Sequence, residues 1–172
     1  MLEEGYAAVT SRRVATKAAL KPALVHYYFE TMDDLFLAVY RRRVDQGLDR
    51  LERAIAAPQP LWALWEYNRD PRGAGLTMEF VALANHRKAI RAEITASAEQ
   101  FRERQREAIA RLLDDYGVDA DEWPAIVLAV AMSSIANFLA IEQATLEMST
   151  GHAETVAAVE RLLHSLEGER AC

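Results

Sequence analysis

The chain has 172 residues, a length typical of one domain or of a small domain joined to a larger one. Apolar residues make up 51% and charged residues 27%, while seven glycines and five prolines exclude collagen-like and low-complexity chains. The single cysteine, Cys172, excludes a disulfide within the chain. Residues 1–15 lack the apolar core of a signal peptide, so we expect a cytoplasmic protein.

Charge is distributed unevenly along the chain. The net charge of −6 argues against a protein that coats nucleic acid without selectivity. Residues 1–53 carry nine Lys and Arg against eight Asp and Glu, whereas residues 54–172 carry 11 against 18. A local basic segment indicates phosphate binding more strongly than the total charge does. Residues 10–29 form such a segment, with no acid and four cations: Arg12, Arg13, Lys17 and Lys21.

The N-terminal third is predicted to fold as two short helices and one long helix. Ser11 can cap a helix over residues 12–18, and Pro22 suits the first turn of a second helix that ends near residue 29. Thr31 then caps a long helix, with two aspartates in its first turn, where the positive helix end favours acids. Prolines from Pro58 onward end it.

The rest of the chain is predicted to be helical too. Beta-branched residues do not alternate, and no hairpin dipeptide occurs, which argues against a sheet. The predicted fold class is therefore all-α. The further predicted helices lie around Trp62–Tyr67, from Gly75 to about Asn85, from about Arg87 to Tyr116 with Gly117 as C-cap, from about Asp121 with Pro124 in the first turn, and from about Ala153 to Leu166.

Two short basic helices with a tight turn between them are typical of a helix-turn-helix, whose second helix lies in the major groove of DNA. Val25 and Phe29, four residues apart, can pack inward, which leaves polar side chains free to reach phosphates and base edges. The alternative is a solvated helical hairpin with partly buried aromatic residues. The candidate DNA-binding residues are Thr10, Ser11, Arg12, Arg13, Lys21, Pro22, Ala23, Leu24, His26, Tyr27 and Tyr28.

The same segment resembles the N-terminal domain of the TetR family of repressors. The resemblance spans residues 5 to about 40 and is carried by Gly5-Tyr6, by the run from Thr10 to Phe29 and by Asp33-Asp-Leu-Phe36. It implies a homodimeric transcription regulator with an N-terminal three-helix-type helix-turn-helix domain that binds an inverted-repeat operator. The helical remainder is similar to the family's C-terminal domain, which binds a small molecule. The predicted domains are residues 1–48 for DNA binding and residues 49–172 for effector binding and dimerisation.

Four features depart from the family pattern. Only four residues precede Gly5 where the family has a full first helix, so we expect that helix to be truncated. Ala19 replaces the turn glycine, and a positive φ would be strained there. Met32 replaces a lysine that contacts phosphate in the family, and His26 replaces a tyrosine of the recognition helix.

Residues 125–141 are apolar apart from Ser133, Ser134 and Asn137. A membrane span is one interpretation, because this length is borderline for crossing a bilayer. Burial on both sides explains an all-round apolar helix better, and the flanks provide no Lys or Arg to set a topology. We therefore expect one side to face its own domain. The other side, with a Val156/Leu163 stripe on the last helix, would face a second subunit.

Large apolar side chains scattered over four predicted helices could line a cavity, with a few polar groups to orient a ligand. For any single one of them, ordinary core packing is the alternative. The apolar lining suggests a hydrophobic effector, such as an acyl or aromatic compound. The candidate ligand-binding residues are Trp62, Trp65, Met78, Asn85, His86, Phe101, Met132 and Asn137.

Catalytic and metal chemistry find no support in the sequence. There is no Gly-x-Ser-x-Gly, and Gly73-Ala-Gly75 lacks a third glycine and a preceding strand. The four histidines show no metal-binding spacing, so we expect neither an enzyme nor a cofactor. The sequence favours a ligand-responsive repressor that a small apolar effector releases from its operator. The alternative is a small-molecule-binding protein of the same fold that no longer binds DNA.

Overall fold

The computed structural model describes residues 1–70 and 73–170. Every regular element in this part of the chain is helical, which confirms the predicted all-α class. A single 3-10 turn, Tyr6–Ala8, precedes the first α-helix. The α-helices are α1 (Ser11–Lys17), α2 (Pro22–Tyr28), α3 (Met32–Ile55), α4 (Pro60–Arg69), α5 (Ala74–Ala84), α6 (Lys88–Asp115), α7 (Ala125–Ile141) and α8 (His152–Glu167).

The starts of α1 and α3 follow local capping chemistry. The Thr10 side chain accepts a hydrogen bond from the backbone N–H of Arg13 (3.3 Å), so Thr10 caps α1, and the prediction of Ser11 is wrong. The predicted cap of α3 is confirmed. Thr31 Oγ1 accepts from the Asp34 N–H (3.2 Å), while the Asp34 carboxylate accepts from the Thr31 N–H (2.9 Å). This reciprocal pair satisfies two helix-end donors at once.

Helix α7 begins later than predicted. The expected start near Asp121 is wrong, because the preceding residues form a turn in which the Trp123 N–H donates to Asp119 O at 2.9 Å. The ring of Pro124 disfavours a helical backbone at Trp123, and Pro124 itself takes the extended N-cap conformation. The first helical residue is therefore Ala125.

A π-helical segment, Glu142–Leu146, continues α7 and ends at Glu147, whose φ of 53° is left-handed. The sequence pattern did not predict it. Glu142 is buried, and its Oε2 lies 2.8 Å from His152 Nε2. The first residue of α8 is thus tied to the end of α7 by a polar pair that few water molecules can reach.

The chain forms two compact units. The first comprises residues 1–46 and 75–97, and the second comprises the described residues of 47–74 and 98–172. Helices α3 and α6 each continue from one unit into the other. The predicted division at residue 48 lies near the break within α3, but residues 75–97 group with the N-terminal segment, which local sequence patterns did not indicate.

In the first unit, the N-terminal half of α3 packs on α5 and the start of α6. The Tyr40 ring lies 5.0 Å from the Phe80 ring, and the Tyr40 hydroxyl lies 2.7 Å from Ser97 Oγ. A bidentate ion pair joins Arg41 to Glu93, which lowers the pKa of the Glu93 carboxyl through the hydrogen bonds it accepts. The buried apolar cluster of this unit is Phe36, Phe80, Leu83, Ala84 and Ile90.

In the second unit, α4 packs against α7 and α8, and the core they share includes the inward face of α8. Leu163 is 2% exposed, and Val156 packs on the same core. The expectation that these two residues face a second subunit is therefore wrong, because they lie on the same inward face two turns apart. The outer apolar surface consists instead of exposed residues such as Val127, Phe138 and Leu162.

One helical stretch in the described part of the chain, Ala125–Leu146, is long and apolar enough to cross a membrane by length and composition alone. A core helix of a soluble protein passes the same test. Only 22% of its most apolar window is buried within this chain. The uncovered side therefore needs an apolar neighbour, and a second subunit supplies one as well as lipid does.

Candidate nucleic-acid interface and ligand-binding core

The turn between α1 and α2 is short and closely hydrogen-bonded. Ala19 has a φ of 55°, so the predicted strain at this position is present. The Leu20 N–H donates to Ala15 O at 2.9 Å, which closes α1 and redirects the chain. Pro22 then occupies the first position of α2, where its missing N–H leaves no intrahelical bond unmade. The predicted pair of short helices with a tight turn is thereby confirmed.

Helix α2 buries one residue and presents the others to solvent. Val25 is 6% exposed, as predicted, and Phe29 is half-buried. Tyr27 and Tyr28 are 80% and 71% exposed, with their rings edge to face at 5.1 Å. Two aromatic rings held in water with free hydroxyls are available to a large polar partner. The other predicted contact residues of this helix and its cap are also exposed: Lys21, Pro22, Ala23, Leu24 and His26.

The predicted residues of α1 differ in their availability. Thr10 and Arg12 are exposed and Ser11 is half-buried at the helix start. The Arg13 guanidinium is held by the Glu4 carboxylate, and its Nη1 also donates to Ala8 O at 3.2 Å. The hydrogen bonds from Arg13, followed by its charge, hold the pKa of Glu4 below its usual range. Arg13 is therefore a poorer phosphate contact than the sequence suggested.

Lys17, a further cation of the basic segment, also has a carboxylate beside it, since its Nζ lies 3.5 Å from Glu3 Oε2. Arg12 and Lys21 have no carboxylate partner among the residues that the structure describes. Two of the four cations in the basic segment, Arg12 and Lys21, are therefore unpaired within the described residues. The acids that neutralise the others come from the preceding segment, which the sequence count over residues 10–29 did not include.

The predicted ligand-binding residues fall in both units. Met78, Asn85 and His86 belong to the first unit and are exposed. Trp62, Trp65 and Met132 are buried in the core of the second unit, Phe101 packs against that core, and Asn137 is exposed. A common pocket for all eight residues stays a prediction. The polar residues that were predicted to orient a ligand lie at the surface: Asn85, His86 and Asn137. The predicted apolar residues of the second unit lie in or against its core.

Trp62 is fixed by the end of α8. Its indole Nε1 donates to Gly168 O at 3.2 Å, and its backbone N–H donates to Glu167 Oε2 at 3.1 Å. Glu167 Oε1 accepts from the Leu61 N–H (2.9 Å) and from the Tyr116 hydroxyl (2.7 Å). The carboxylate thus caps α4 from a distant part of the chain. Burial, together with this bond, raises the pKa of Tyr116 well above its usual value.

Trp65 has a different environment from Trp62. Its side chain is fully buried, and its Nε1 has no hydrogen-bond partner in residues 1–70 and 73–170. A second buried polar group, Gln105 on α6, was missed by the sequence reasoning. The signal was present, because Gln105 lies four residues after Phe101 and four before Ile109, on the apolar face. No group of three or more metal-ligating side chains occurs in the described residues.

Residues 1–39 match the family model described as bacterial regulatory proteins, tetR family. The fold is similar to that of the crystal structure of a TetR transcription regulator from Haloarcula marismortui ATCC 43049, with a TM-score of 0.76 at 22% identity. The alignment covers 94% of this chain and 88% of that chain. No curated protein matches the sequence significantly. The exposed helix pair thus lies within the segment that matches this family model, and the fold of the whole chain is similar to that of a TetR transcription regulator.

Proposed function

We propose that the protein is a dimeric repressor that a small, largely apolar molecule releases from an inverted-repeat operator in the cytoplasm. The observation that carries the DNA-binding part is the outer face of α2. Its exposed tyrosines, Tyr27 and Tyr28, lie on the helix that follows the turn. A helix at this position of a helix-turn-helix lies in the major groove. Arg12 and Lys21 supply the unpaired positive charge that phosphates require.

Dimerisation is supported by the outer apolar surface of the second unit. Phe138 is 61% exposed on α7, and Val127 and Leu162 are exposed on the same pair of helices, α7 and α8. An apolar surface of this kind is costly in water and marks an interface. A two-fold dimer places two recognition helices about one DNA turn apart, roughly 34–36 Å or a multiple of it. The operator is then an inverted repeat.

The switch is proposed to act through α3. Its residues before position 47 contribute to the core of the first unit through Phe36, and later ones contribute to the core of the second through Leu51. A ligand in the second core that displaces the C-terminal half of a rigid helix would tilt its N-terminal half. For release, the ligand must bind the DNA-incompetent arrangement better, and DNA must weaken the ligand by the same factor. Couplings of about 1–3 kcal/mol correspond to 5- to 150-fold effects.

The DNA-binding part is tested by gel shift on the DNA upstream of the protein's own gene, at several salt concentrations and against competitor DNA. Lys21→Ala should weaken binding and lower the salt slope by about one, because one phosphate contact is lost. Tyr27→Ala should reduce the preference for the upstream DNA over competitor. Lys88→Ala is the matched control, since it removes an exposed lysine of the same unit outside the helix pair. If both test variants bind as tightly as the parent, this assignment of contacts is wrong.

The second candidate function, a small-molecule-binding protein that no longer binds DNA, has one observation in its favour. Half of the cations in the basic segment are paired with Glu3 and Glu4. Absence of any salt-dependent shift for the parent protein, together with ligand binding, would support this candidate. A salt-dependent shift that excess effector abolishes would support the repressor.

A further inference from the structure

The core of the second unit contains an indole N–H without an acceptor. Trp65 is fully buried, and no atom of the described residues accepts a hydrogen bond from its Nε1. Trp62, three residues earlier on α4, shows the usual arrangement, because its Nε1 donates to Gly168 O. A buried donor without an acceptor costs about 1–3 kcal/mol. The described residues supply no hydrogen bond that offsets this cost at Trp65 Nε1.

A second polar side chain lies on the helix face that packs in the same core. Gln105 is 6% exposed, and no described residue forms a hydrogen bond with its amide. Phe101 and Ile109, one turn away on either side, both pack in that core. Other buried polar groups of the second unit are satisfied: Asn68 Nδ2 donates to Leu64 O at 2.9 Å, for example. Trp65 Nε1 is thus the one fully buried side-chain donor without a partner in the described residues, and the Gln105 amide, which forms no bond within them, keeps slight contact with solvent.

We propose that Trp65 Nε1 and the Gln105 amide are the polar anchors of the effector site, and that the effector is a neutral apolar compound with a carbonyl oxygen. This inference rests on the ligand-binding part of the proposed function. A ketone, ester, lactone or amide oxygen accepts a hydrogen bond from the indole. The Gln105 amide both donates and accepts, so it can bind a second polar group of the same ligand.

Neutrality follows from the charges around Trp65. The Arg69 guanidinium lies 5.3 Å from the Trp65 ring, but it is already paired with Glu160 (3.3 Å) and Glu66 (3.8 Å). An ionised carboxylate bound at Trp65 would therefore be buried without a cation of its own, which is strongly unfavourable. A neutral oxygen needs only the donor that Trp65 provides.

The test uses two pairs of probes that share a skeleton and differ in a ketone: indane against 1-indanone, and bibenzyl against deoxybenzoin. The full chain is labelled with 15N at tryptophan, which gives one indole N–H signal each for Trp62, Trp65 and Trp123. We expect the ketone of at least one pair to bind three- to ten-fold tighter than its hydrocarbon, the range of one net hydrogen bond. The Trp65 signal should move downfield, and the Trp123 signal should not.

Variants separate the anchors from general packing. Trp65→Phe keeps an aromatic ring without the donor, so it should abolish the preference for the ketone while hydrocarbon binding persists. Gln105→Met keeps the volume and should weaken benzil, the diketone of the bibenzyl skeleton, while leaving deoxybenzoin affinity and the Trp65 shift unaltered. Trp123→Phe, at an exposed position, is the control and should change nothing.

The outcomes distinguish this inference from the proposed function. The anchor assignment would be overturned if the two members of each pair bound equally well, or if the ketone preference survived in Trp65→Phe. Either result would still be consistent with a ligand pocket in this core. If neither member of either pair binds, the pocket itself is rejected, and the ligand-binding part of the proposed function falls with it.

Discussion

The turn between α1 and α2 carries a backbone strain that one substitution can relieve. Ala19 directly follows Ala18, the C-cap residue of α1, and has a left-handed φ of 55°. The Leu20 N–H donates to Ala15 O (2.9 Å) and the Ala19 N–H donates to Thr16 O (3.2 Å). These two bonds define the Schellman motif, in which the left-handed residue is usually glycine. Ala19→Gly should therefore stabilise the helix pair.

The end of α6 provides an internal comparison. Gly117 has a φ of 68°, and the Val118 and Gly117 N–H groups donate to Leu113 O (2.9 Å) and Asp114 O (3.0 Å) in the same pattern. A Cβ added at Gly117 would meet no atom within 4 Å. The reverse change, Gly117→Ala, thus introduces the backbone strain without a steric clash.

The expected change in stability for Ala19→Gly is the difference between two opposing free-energy terms. A left-handed backbone costs a residue with a Cβ roughly 1–2 kcal/mol. The greater freedom of glycine in the unfolded chain offsets about 0.4–1 kcal/mol of the gain. Ala19→Gly should therefore stabilise α1 and α2 by about 0.5–1 kcal/mol, and Gly117→Ala should destabilise the second unit by a similar amount. Ala18→Gly, at a right-handed φ of −86°, should be destabilising by about 0.5–1 kcal/mol.

Hydrogen exchange measured by NMR is the appropriate assay, because the three tryptophans lie in the second unit and their fluorescence does not report on α1 and α2. Amides of α1 and α2 should exchange about two- to five-fold more slowly in Ala19→Gly. Tryptophan fluorescence during urea unfolding measures Gly117→Ala. Two results together would refute the reasoning. The amides of α1 and α2 would exchange at the parent rate or faster in Ala19→Gly, and they would exchange no faster in Ala18→Gly than in the parent.

Three further changes probe the other assignments. Phe138→Arg places a charge on the outer apolar surface of the second unit, so light scattering should show a monomer, and an unchanged dimer would reject that interface. Glu167→Ala removes the cap of α4 and should lower the free energy of unfolding by about 1–3 kcal/mol, whereas Glu169→Ala, whose carboxylate caps nothing, should have little effect. Glu4→Gln frees Arg13 from its carboxylate, so DNA affinity and the salt slope should both rise, the slope by about one; unchanged binding would show that Arg13 does not reach phosphate.

Local chemistry explains why the helices could be predicted from the sequence. Thr31 caps α3 through a neighbour three residues away, Pro22 starts α2, and Gly117 closes α6. Each of these signals acts within one helical turn, so the amino-acid sequence alone is enough to identify it. The start of α7 shows the limit of such signals, because Pro124 acts as the N-cap rather than as a residue of the first turn.

Assignments that depend on distant residues were less predictable. The apolar residues of α8 occupy more than one face, and only packing decides that Leu163 turns inward and Leu162 outward. The charge of the basic segment likewise depends on Glu4, nine residues before Arg13 and outside the counted range. Grouping residues 75–97 with the N-terminal segment requires tertiary contacts that no periodicity in the sequence expresses.

The candidate ligand site includes one residue that the sequence indicates and one that only the structure identifies. Gln105 stands in register with Phe101 and Ile109, and a polar residue on an apolar helix face predicts either a buried hydrogen bond or a bound ligand. That signal was available in the sequence. Trp65 carried no such signal, because tryptophan belongs in cores and only its neighbours decide whether its N–H is satisfied, as Trp62 shows three residues away. For the proposed ligand site, the sequence therefore offers Gln105 as a polar residue at an inward position, and the structure is needed to find Trp65 Nε1, the buried donor without an acceptor.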